Sequence, residues 1–295
     1  MKKLWATLLA ALFSVCISSI NADAQGNITT RKQRLSDFTI KTTKIVCTGN
    51  ELFDLQFRDE VARFWRATPF EFCTAEEYEA SKKNDSYYFL RVLDNKEKKA
   101  SEPGVSMLVF SKGGSDDKNQ DNHSFEIISI PFCTADEPSG REITYLSALI
   151  GLIQHYTLDS MNSDLNGLYG VGAIAKKNAK FNGKKFYFAG SDLTSGVTED
   201  ELWQDKNAVI EEDDTVDERY NNCEPDGIVS YVVAPGKAEK GNACYLMLFT
   251  TDTHEICYFE KRALNGKNES GFNAADIKQI LKQKKKGFAE RLTAA

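Results

Sequence analysis

The order of strand and helix patterns repeats along this chain. Over residues 44–156, short apolar strand patterns and amphipathic helix patterns alternate, then three strands and a helix follow. The same order returns over residues 184–288, with low residue identity between the two halves. Helical crossovers followed by a strand meander imply a mixed sheet flanked by helices. The sequence therefore predicts an α/β fold of two tandem similar modules, each ordered β-α-β-α-β-β-β-α.

Local signals locate the helices of the first half. Asn50 is a suitable N-cap for the following "ELFDLQFRDEVARF", in which Phe53, Phe57 and Val61 recur at helical spacing. Thr74 is placed to cap "AEEYEASKK", whose glutamates suit the positive end of a helix dipole. The aromatic strand "SYYFLRVL" and two further strands follow, and "REITYLSALIGLIQHY" predicts the closing apolar helix.

The second half carries shorter versions of these signals. The predicted order is "KKFYFAGSD" as a strand, "VTEDELWQ" as a short acidic helix, "NAVIEEDD" as a strand and "DTVDERYNN" as a helical turn or two. Pro235 ends the strand "GIVSYVVAP", and two paired strands follow. The closing helix "NAADIKQILKQKKKGF" places Ile277, Ile280 and Leu281 on one face.

The amino terminus predicts export. Lys2 and Lys3 precede an apolar run over residues 4–20, and "ADA" then offers small side chains where a signal peptidase cuts. Val15 precedes Cys16, where a lipobox requires a small residue, so soluble export is favoured over lipid anchoring. The later run "ITYLSALIGLIQHY" is shorter than the ~20 residues of a membrane span. We therefore expect a periplasmic or cell-surface protein with no transmembrane segment after signal removal.

These patterns divide the chain into six segments. They are a signal peptide over 1–24, an N-terminal arm over 25–43, a first α/β module over 44–156, a Gly/Asn-rich linker with one short helix over 157–183, a second α/β module over 184–288 and a C-terminal tail over 289–295.

Charge argues against nucleic acid as a partner. The chain has a formal charge of −6, and loss of two lysines and one aspartate with the leader leaves −7. A mildly acidic, mixed surface lacks the basic footprint of a nucleic-acid-binding protein. The early basic cluster, Arg31, Lys32 and Arg34, is interpreted as a solvated arm. Oligomeric state is left open.

Six cysteines remain after the leader, and five of them sit in or beside apolar strand patterns. An even number in an exported chain permits disulfides, whereas placement in strands favours buried free thiols. Close CxxC pairs, which a zinc site uses, are absent from the sequence. Buried thiols, at least one disulfide and a metal site are all considered, in that order of preference. The six are Cys47, Cys73, Cys133, Cys223, Cys244 and Cys257.

No motif in the sequence assembles a cofactor or catalytic site. The nucleophile elbow G-x-S-x-G is absent, and Gly167, Gly170 and Gly172 have the wrong spacing for a P-loop and predict a connector. His254 and Cys257 are one weak metal-like pair, but in a strand their i, i+3 spacing puts them on opposite faces. A Cys–His pair assembled in space stays open, although the sequence selects none. No cofactor and no metal are predicted, and catalytic residues stay unknown.

Acidic clusters are abundant and most resemble solvated helix starts. Glu76 and Glu77 lie in the first turn of a predicted helix, and the four acids of residues 211–214 lie where the next predicted helix starts. The loop "KGGSDDKNQDNH" offers oxygen ligands for calcium but lacks the closing glutamate of an EF-hand loop, which favours a solvated hairpin loop. "DSM" at residues 159–161 and "DTV" at 214–216 are weak matches to Bacteroidetes O-glycosylation acceptors.

This layout resembles the α/β module of the curli-secretion CsgG family and of the TolB amino-terminal domain, which act in the bacterial cell envelope. "FEFCTAEEYE" with "NDSYYFLRVL" fits the run of strand, acidic helix and "gaDyvv" strand, with Asp85 at the aspartate position. "NAVIEEDD" with "EPDGIVSYVV" fits it again, with Asp226 there. The chain departs from those families because it has no long barrel-forming hairpins and no propeller repeats. The resemblance implies an α/β fold and a location in the cell envelope. The composition of the chain, rich in lysine, asparagine and aromatic residues, is similar to that of secreted Bacteroidetes proteins.

The expected function is therefore non-catalytic. The leading hypothesis is an exported envelope protein that acts by protein binding or assembly. The alternatives are a hydrolase or a small-ligand-binding protein with its site in the cleft between the two modules, where domain junctions commonly place pockets.

Overall fold

A computed structural model describes residues 31–114, 124–136, 138–198, 207–265 and 268–292, apart from the side chains of 124, 168 and 284–292. The predicted signal peptide, and the predicted helix at 197–204 for all but its first two residues, lie outside these ranges. The helices are α1 Arg31–Leu35, α2 Glu51–Phe64, α3 Ala75–Ser81, α4 Arg141–Asn162, α5 Val171–Asn178, α6 Asp213–Asn221 and α7 Ala274–Leu292. The strands are β1 Thr42–Val46, β2 Phe70–Cys73, β3 Tyr87–Asn95, β4 Val105–Gly113, β5 Ser124–Thr134, β6 Lys185–Ala189, β7 Ala208–Glu211, β8 Gly227–Val233, β9 Ala243–Thr250 and β10 Ile256–Ala263.

The two halves have the same sheet topology. The first sheet has the order β2-β1-β3-β4-β5, and the second has the order β7-β6-β8-β9-β10. In each sheet the first strand pairs in parallel with the second and third, and the last three strands form an antiparallel meander. The predicted fold class, two similar mixed α/β modules in tandem, is confirmed.

The predicted helix starts are confirmed in detail. The Asn50 side chain accepts a hydrogen bond from the amide of Phe53 at 3.2 Å. Thr74 and Glu77 form a reciprocal capping box, because each side chain bonds the backbone amide of the other. Asn273 likewise caps α7 by accepting from the amide of Asp276 at 3.1 Å. Local sequence therefore determines where these helices begin.

Helix α4 closes the first module and also forms the wall against which the second module packs. Gln154 joins it to the first module by accepting from the amide of Ala67 and donating to the carbonyl of Phe64. On the other side, Tyr145 stacks on Tyr231 of β8 with ring centroids 4.4 Å apart. One continuous apolar core consequently contains side chains of both sheets.

A buried ionic network fastens α4 to the second module. Arg141 donates to Asp217 of α6 at 2.9 Å and to Asp192, which follows β6, at 3.1 Å. Asp192 is 2% exposed and also accepts from the Ser230 hydroxyl. Burial raises the pKa of Asp192, while the Arg141 charge opposes that rise. The hydroxyl of Tyr145 donates to Asp217 as well, so the network is highly connected.

Helix α7 occupies the equivalent place in the second module but faces solvent on its other side. Ile277, Ile280 and Leu281 are buried in a separate core against the second sheet. Lys278 and Lys282 on the opposite face are exposed. Among the helices that the structure describes, none combines the length and apolarity needed to cross a membrane.

The interpretation of the early basic cluster as a solvated arm is wrong for Arg31 and Arg34, whereas Lys32 is exposed. The guanidinium of Arg34 lies 4.8 Å from the centroid of the Phe125 ring, and that of Arg31 lies 5.3 Å from it. Leu35 and Phe38 are fully buried in the shared core. The arginines stack on an aromatic face, which places this segment against the body of the protein.

Candidate functional site

A cavity of about 490 Å³ lies at the junction of the two modules. We call it the junction cleft. One wall is the second half of α4, a second wall is α5, and the third is the turn between β9 and β10. The cleft is lined by Phe64, Ser147, Ala148, Gly151, Leu152, His155, Tyr156, Asp159, Ile174, Lys177, Asn178, Thr253, His254, Glu255 and Ile256.

The floor of the junction cleft is apolar and includes a glycine inside α4. Leu152, Tyr156 and Ile256 are buried there. A Cβ placed on Gly151 would have no atom within 4 Å, so no close packing requires glycine at this position. Glycine in a helix interior costs roughly 1 kcal/mol relative to alanine. The space above Gly151 belongs to the cleft, and its missing side chain keeps that space open.

The rim of the junction cleft carries charged groups of both signs. His155 and Asp159 lie one helical turn apart on α4 and are exposed. Lys177 of α5 and Glu255 of the β9–β10 turn are exposed on the facing walls. Asn178 closes one end by donating from its side chain to the carbonyl of Ile256 at 3.2 Å. An apolar floor with a few polar groups at its rim is the usual composition of a small-molecule site.

His254 has the most constrained geometry of the lining residues. Its backbone has φ 53°, a left-handed conformation that is uncommon outside glycine. Its imidazole stacks on the Tyr220 ring at 4.1 Å between centroids. Its Nε2 lies 3.1 Å from the carbonyl oxygen of Tyr220. Strained backbone of this kind concentrates at functional sites, which directs attention to this corner of the cleft.

Cys223 lies beside His254 but is not among the residues that line the cleft. Its Sγ lies 3.7 Å from His254 Nε2, and its own φ is 51°. Because a carbonyl oxygen only accepts, the bond to Tyr220 assigns the proton of a neutral imidazole to Nε2. The Tyr220 carbonyl therefore engages the single Nε2–H, and Nε2 offers the Cys223 thiol no free lone pair with which to act as a base. This arrangement lacks the base step of a Cys–His nucleophile.

The weak sequence pair His254 and Cys257 does not form. His254 precedes β10, whereas Cys257 lies within it, 1% exposed, with its thiol donating to the carbonyl of Leu248 at 3.4 Å. Burial raises the pKa of the Cys257 thiol. The structure pairs His254 with Cys223 instead, a residue 31 positions away in sequence. His123 lies outside the described residues.

Several residues of the acidic clusters serve the fold. Glu77 completes the capping box of α3. Glu211 is bonded by Arg219 at 2.6 Å, and the Asp213 carboxylate accepts from the amide of Ser191. The candidate calcium ligands of residues 116–121 lie outside the described residues. Within the described ranges, no cluster of three or more metal-ligating side chains forms.

The glycine-rich stretch begins a short helix at the junction. Gly170 is the N-cap residue of α5, and Gly172 lies inside that helix. A Cβ on Gly167 would come within 2.4 Å of Arg31 Cδ, so close packing explains this glycine. Ser160 of the "DSM" match is fully buried within α4, which hides it from a glycosyltransferase.

The six cysteines that follow the predicted leader are all free thiols. Cys73, Cys133, Cys244 and Cys257 are buried, as their strand patterns predict, and burial raises the pKa of Cys73 to about 11. Cys47 is partly exposed and accepts hydrogen bonds from the guanidinium of Arg58 at 3.1 and 3.3 Å.

A more open crevice of about 580 Å³ lies beyond the carboxyl end of β1 in the first module. Its carboxylates are already bonded within the protein. Glu142 accepts from the amide of Gly140 at 3.0 Å, and the neighbouring Asp54 accepts from the amides of Thr48 and Gly49. The junction cleft offers more unengaged polar groups and a better-defined floor, and is therefore the stronger candidate site.

Sequence reasoning did not identify the lining of the junction cleft. His155 and Asp159 belong to an apolar helix that, taken alone, indicates only core packing. One usable signal was Gly151, an isolated glycine within that helix pattern.

The fold and the cleft define an α/β protein of two tandem modules with a pocket at their junction. A scan against protein-family models, a search of curated proteins and a search of solved structures find no match to this chain.

Proposed function

We propose that this is a non-catalytic, exported binding protein that holds a small amphipathic molecule in the junction cleft. The observation that carries the proposal is the cleft itself, with an apolar floor around Gly151 and a charged rim. Export rests on the leader pattern of residues 1–24. A ligand with a flat apolar body would lie on α4, and its polar ends would meet the rim. The rim has acidic and basic groups, so the ligand is expected to carry hydrogen-bonding groups at both ends.

The geometry favours binding over hydrolysis. His254 Nε2 donates its proton to the Tyr220 carbonyl and so offers no free lone pair to Cys223. A hydrolase would need a base aimed at its nucleophile, or two carboxylates set across a bound substrate. Outside the cleft, Glu77 and Glu211 are engaged in a helix cap and an ion pair. Within it, Asp159 and Glu255 stand at the rim on separate walls, with the apolar floor between them.

A protein partner in the cell envelope is the second candidate, and helix α2 favours it. Leu52 and Leu55 on α2 are 81% and 62% exposed. They are three residues apart and therefore share one helix face. Adjacent exposed leucines are typical of contact surfaces. This candidate is independent of the cleft.

Filling the cleft at Gly151 tests the binding proposal. Gly151→Phe should occupy the space above α4, and Gly151→Ala is the matched control because it adds one methyl group at the same position. The probe is the amphipathic dye 1-anilinonaphthalene-8-sulfonate, titrated by fluorescence. Wild type and Gly151→Ala should bind it at one saturable site, and Gly151→Phe should lose that site. Native mass spectrometry of the protein purified from its own envelope should also detect a retained small molecule.

Equal dye binding by a folded Gly151→Phe variant would contradict the proposal. For the second candidate, a Leu52→Glu, Leu55→Glu double variant should lose any protein captured by the wild type from the envelope fraction. Unchanged capture by that variant would remove α2 as the partner surface.

A further inference from the structure

Arg91 is a buried arginine with no acidic partner in the described part of the chain. It lies on β3, is 7% exposed, and its Nε is buried without a hydrogen-bond partner. No carboxylate oxygen of a described residue lies within salt-bridge distance of its guanidinium. Its contact is the ring of Tyr78 on α3, 4.2 Å from the guanidinium carbon. Leaving a buried charge unpaired is costly, so this arrangement calls for a counterion.

Two neighbouring hydroxyls are also unpartnered. The Tyr78 hydroxyl and the Ser111 hydroxyl are buried without a hydrogen-bond partner, in residues that are 4% and 1% exposed. Ser111 lies directly opposite Phe89 in the β3–β4 ladder, and the edge of Tyr78 packs on Phe89. Side chains at alternate positions of a strand share a face, so Arg91 and Ser111 point to the side of the sheet that α3 covers. Three polar groups with unused donors thus lie on the same side of the first sheet.

The second module treats the equivalent position differently. Arg91 is the fifth residue of β3, and Tyr231 is the fifth residue of β8, with the same register to the first strand of its sheet. Tyr231 stacks on Tyr145 of α4 and carries no charge. The arginine of that face is Arg141, which has two carboxylate partners. At this strand position, the first module has an arginine without a carboxylate partner and the second has an uncharged tyrosine. Burial lowers the pKa of Arg91.

We propose that Arg91, Tyr78 and Ser111 bind a small oxyanion, a carboxylate or a phosphate group, on the α3 side of the first sheet. A guanidinium presents paired donors that match the oxygens of either group, and the two hydroxyls add further donors. Nearby Glu79 is engaged by Lys82 at 2.5 Å. Glu126 is exposed and acts on Arg91 only through its field, so it weakens anion binding without replacing the anion. This site is separate from the junction cleft.

The test compares unfolding midpoints with and without anions. Inorganic phosphate and acetate are added separately to wild type and to Arg91→Met, at constant ionic strength set with chloride. We expect one of the two anions to raise the wild-type midpoint by about 2–4 °C at saturation and to leave Arg91→Met unchanged. The anion that acts distinguishes the phosphate from the carboxylate class. Arg58→Met is the matched control, because Arg58 stacks on Phe72 at 5.1 Å in the same module but is solvent-exposed. It should keep the full anion response.

Without anions, Arg91→Met should be at least as stable as wild type, since it removes an unpaired buried charge. Glu126→Gln should tighten binding of the active anion several-fold by removing a competing charge. If Arg91→Met does not fold, NMR of the arginine Nε–H groups in the wild type tests the proposal instead. The Arg91 signal should shift when the active anion is titrated, and the shift should be smaller in Ser111→Ala. Equal responses of wild type and Arg91→Met, or no response to either anion, would overturn the proposal and indicate that solvent satisfies these groups.

Discussion

Helices α4 and α7 end their modules at equivalent positions, but their surroundings differ. Thirteen residues of the 22-residue α4 are buried, and its two sides contact both sheets. Over residues 274–283 of α7, whose side chains the structure describes, the buried residues lie on one face, and Lys278 and Lys282 opposite them are exposed. An all-round apolar helix belongs inside a protein, whereas an amphipathic one belongs at its surface.

The difference shows how two similar modules form a single folded body. The closing helix of the first module has a second packing surface, an arginine for two buried acids and a cleft along its length. The closing helix of the second module has a polar outer face. Four predictions address this contrast, beginning with the largest expected effect.

Loss of Arg141 should destabilise the protein far more than loss of Arg262, which anchors α7. Arg141→Met leaves Asp192 and Asp217 buried without their cation, and such losses cost about 3–5 kcal/mol. Arg262 pairs with Asp276 at 2.8 Å and with the more exposed Glu260, and neither acid is fully buried, so Arg262→Met should cost less, about 1–2 kcal/mol. Urea unfolding followed by circular dichroism measures both. Similar losses would mean that the α4 network does not fasten the modules.

Truncating a buried side chain should affect both sheets when the residue lies in α4 and mainly the second sheet when it lies in α7. Leu149 of α4 and Ile280 of α7 are both fully buried, and substitution of either by alanine should cost about 2–5 kcal/mol. Leu149→Ala should lower amide protection in both sheets by hydrogen exchange, because α4 packs on both. Ile280→Ala should lower it first in the second sheet. A Leu149→Ala effect confined to the first sheet would break the contrast.

Acid should loosen the segment that packs beside α4. Partial burial disfavours the Asp37 carboxylate, but hydrogen bonds from Lys112 and Lys41 outweigh it and lower its pKa to about 2. A folded-state pKa below the ordinary 3.8 adds stability that is complete above about pH 4 and lost as the pH falls toward 2. The contribution is on the order of 1 kcal/mol after solvent screening. The difference in unfolding free energy between wild type and Asp37→Asn should shrink as the pH falls through this window. A difference that stays constant with pH would contradict the proposed role of Asp37.

The smallest effect concerns Gly151. Gly151→Ala should stabilise the protein by roughly 0.5–1 kcal/mol, because it favours the helix and meets no neighbouring atom. In α7, Gln279→Gly at an exposed position should lose roughly the same amount. Thermal unfolding of the pair gives opposite signs if the space above Gly151 is open. A destabilised Gly151→Ala would show that this space is filled.

Much of the fold was predictable because its signals are local. Caps such as Asn50 and Thr74, and stripes such as Phe57 with Val61, depend on residues a few positions apart. Module order followed from those signals and matches the two sheets. The basic segment was misjudged because its stacking on Phe125 joins residues about 90 positions apart, which no local pattern reports.

The candidate site was not predictable for the same reason. The junction cleft needs α4, α5 and the β9–β10 turn to converge, and the Cys223–His254 contact joins two loops with left-handed residues. The apolar residues of α4 predict that the helix is buried, but they do not indicate that it packs against both modules. The burial of Arg91 was not predictable from the sequence either, because an arginine in a strand pattern is ordinarily solvent-exposed.

Native-state hydrogen exchange against denaturant tests the central claim, that α4 joins both modules into one cooperative unit. The most protected amides of β1 and β3 in the first sheet and of β6 and β8 in the second should merge into one unfolding isotherm with one free energy. Separate isotherms, with one sheet still protected after the other has opened, would contradict the claim.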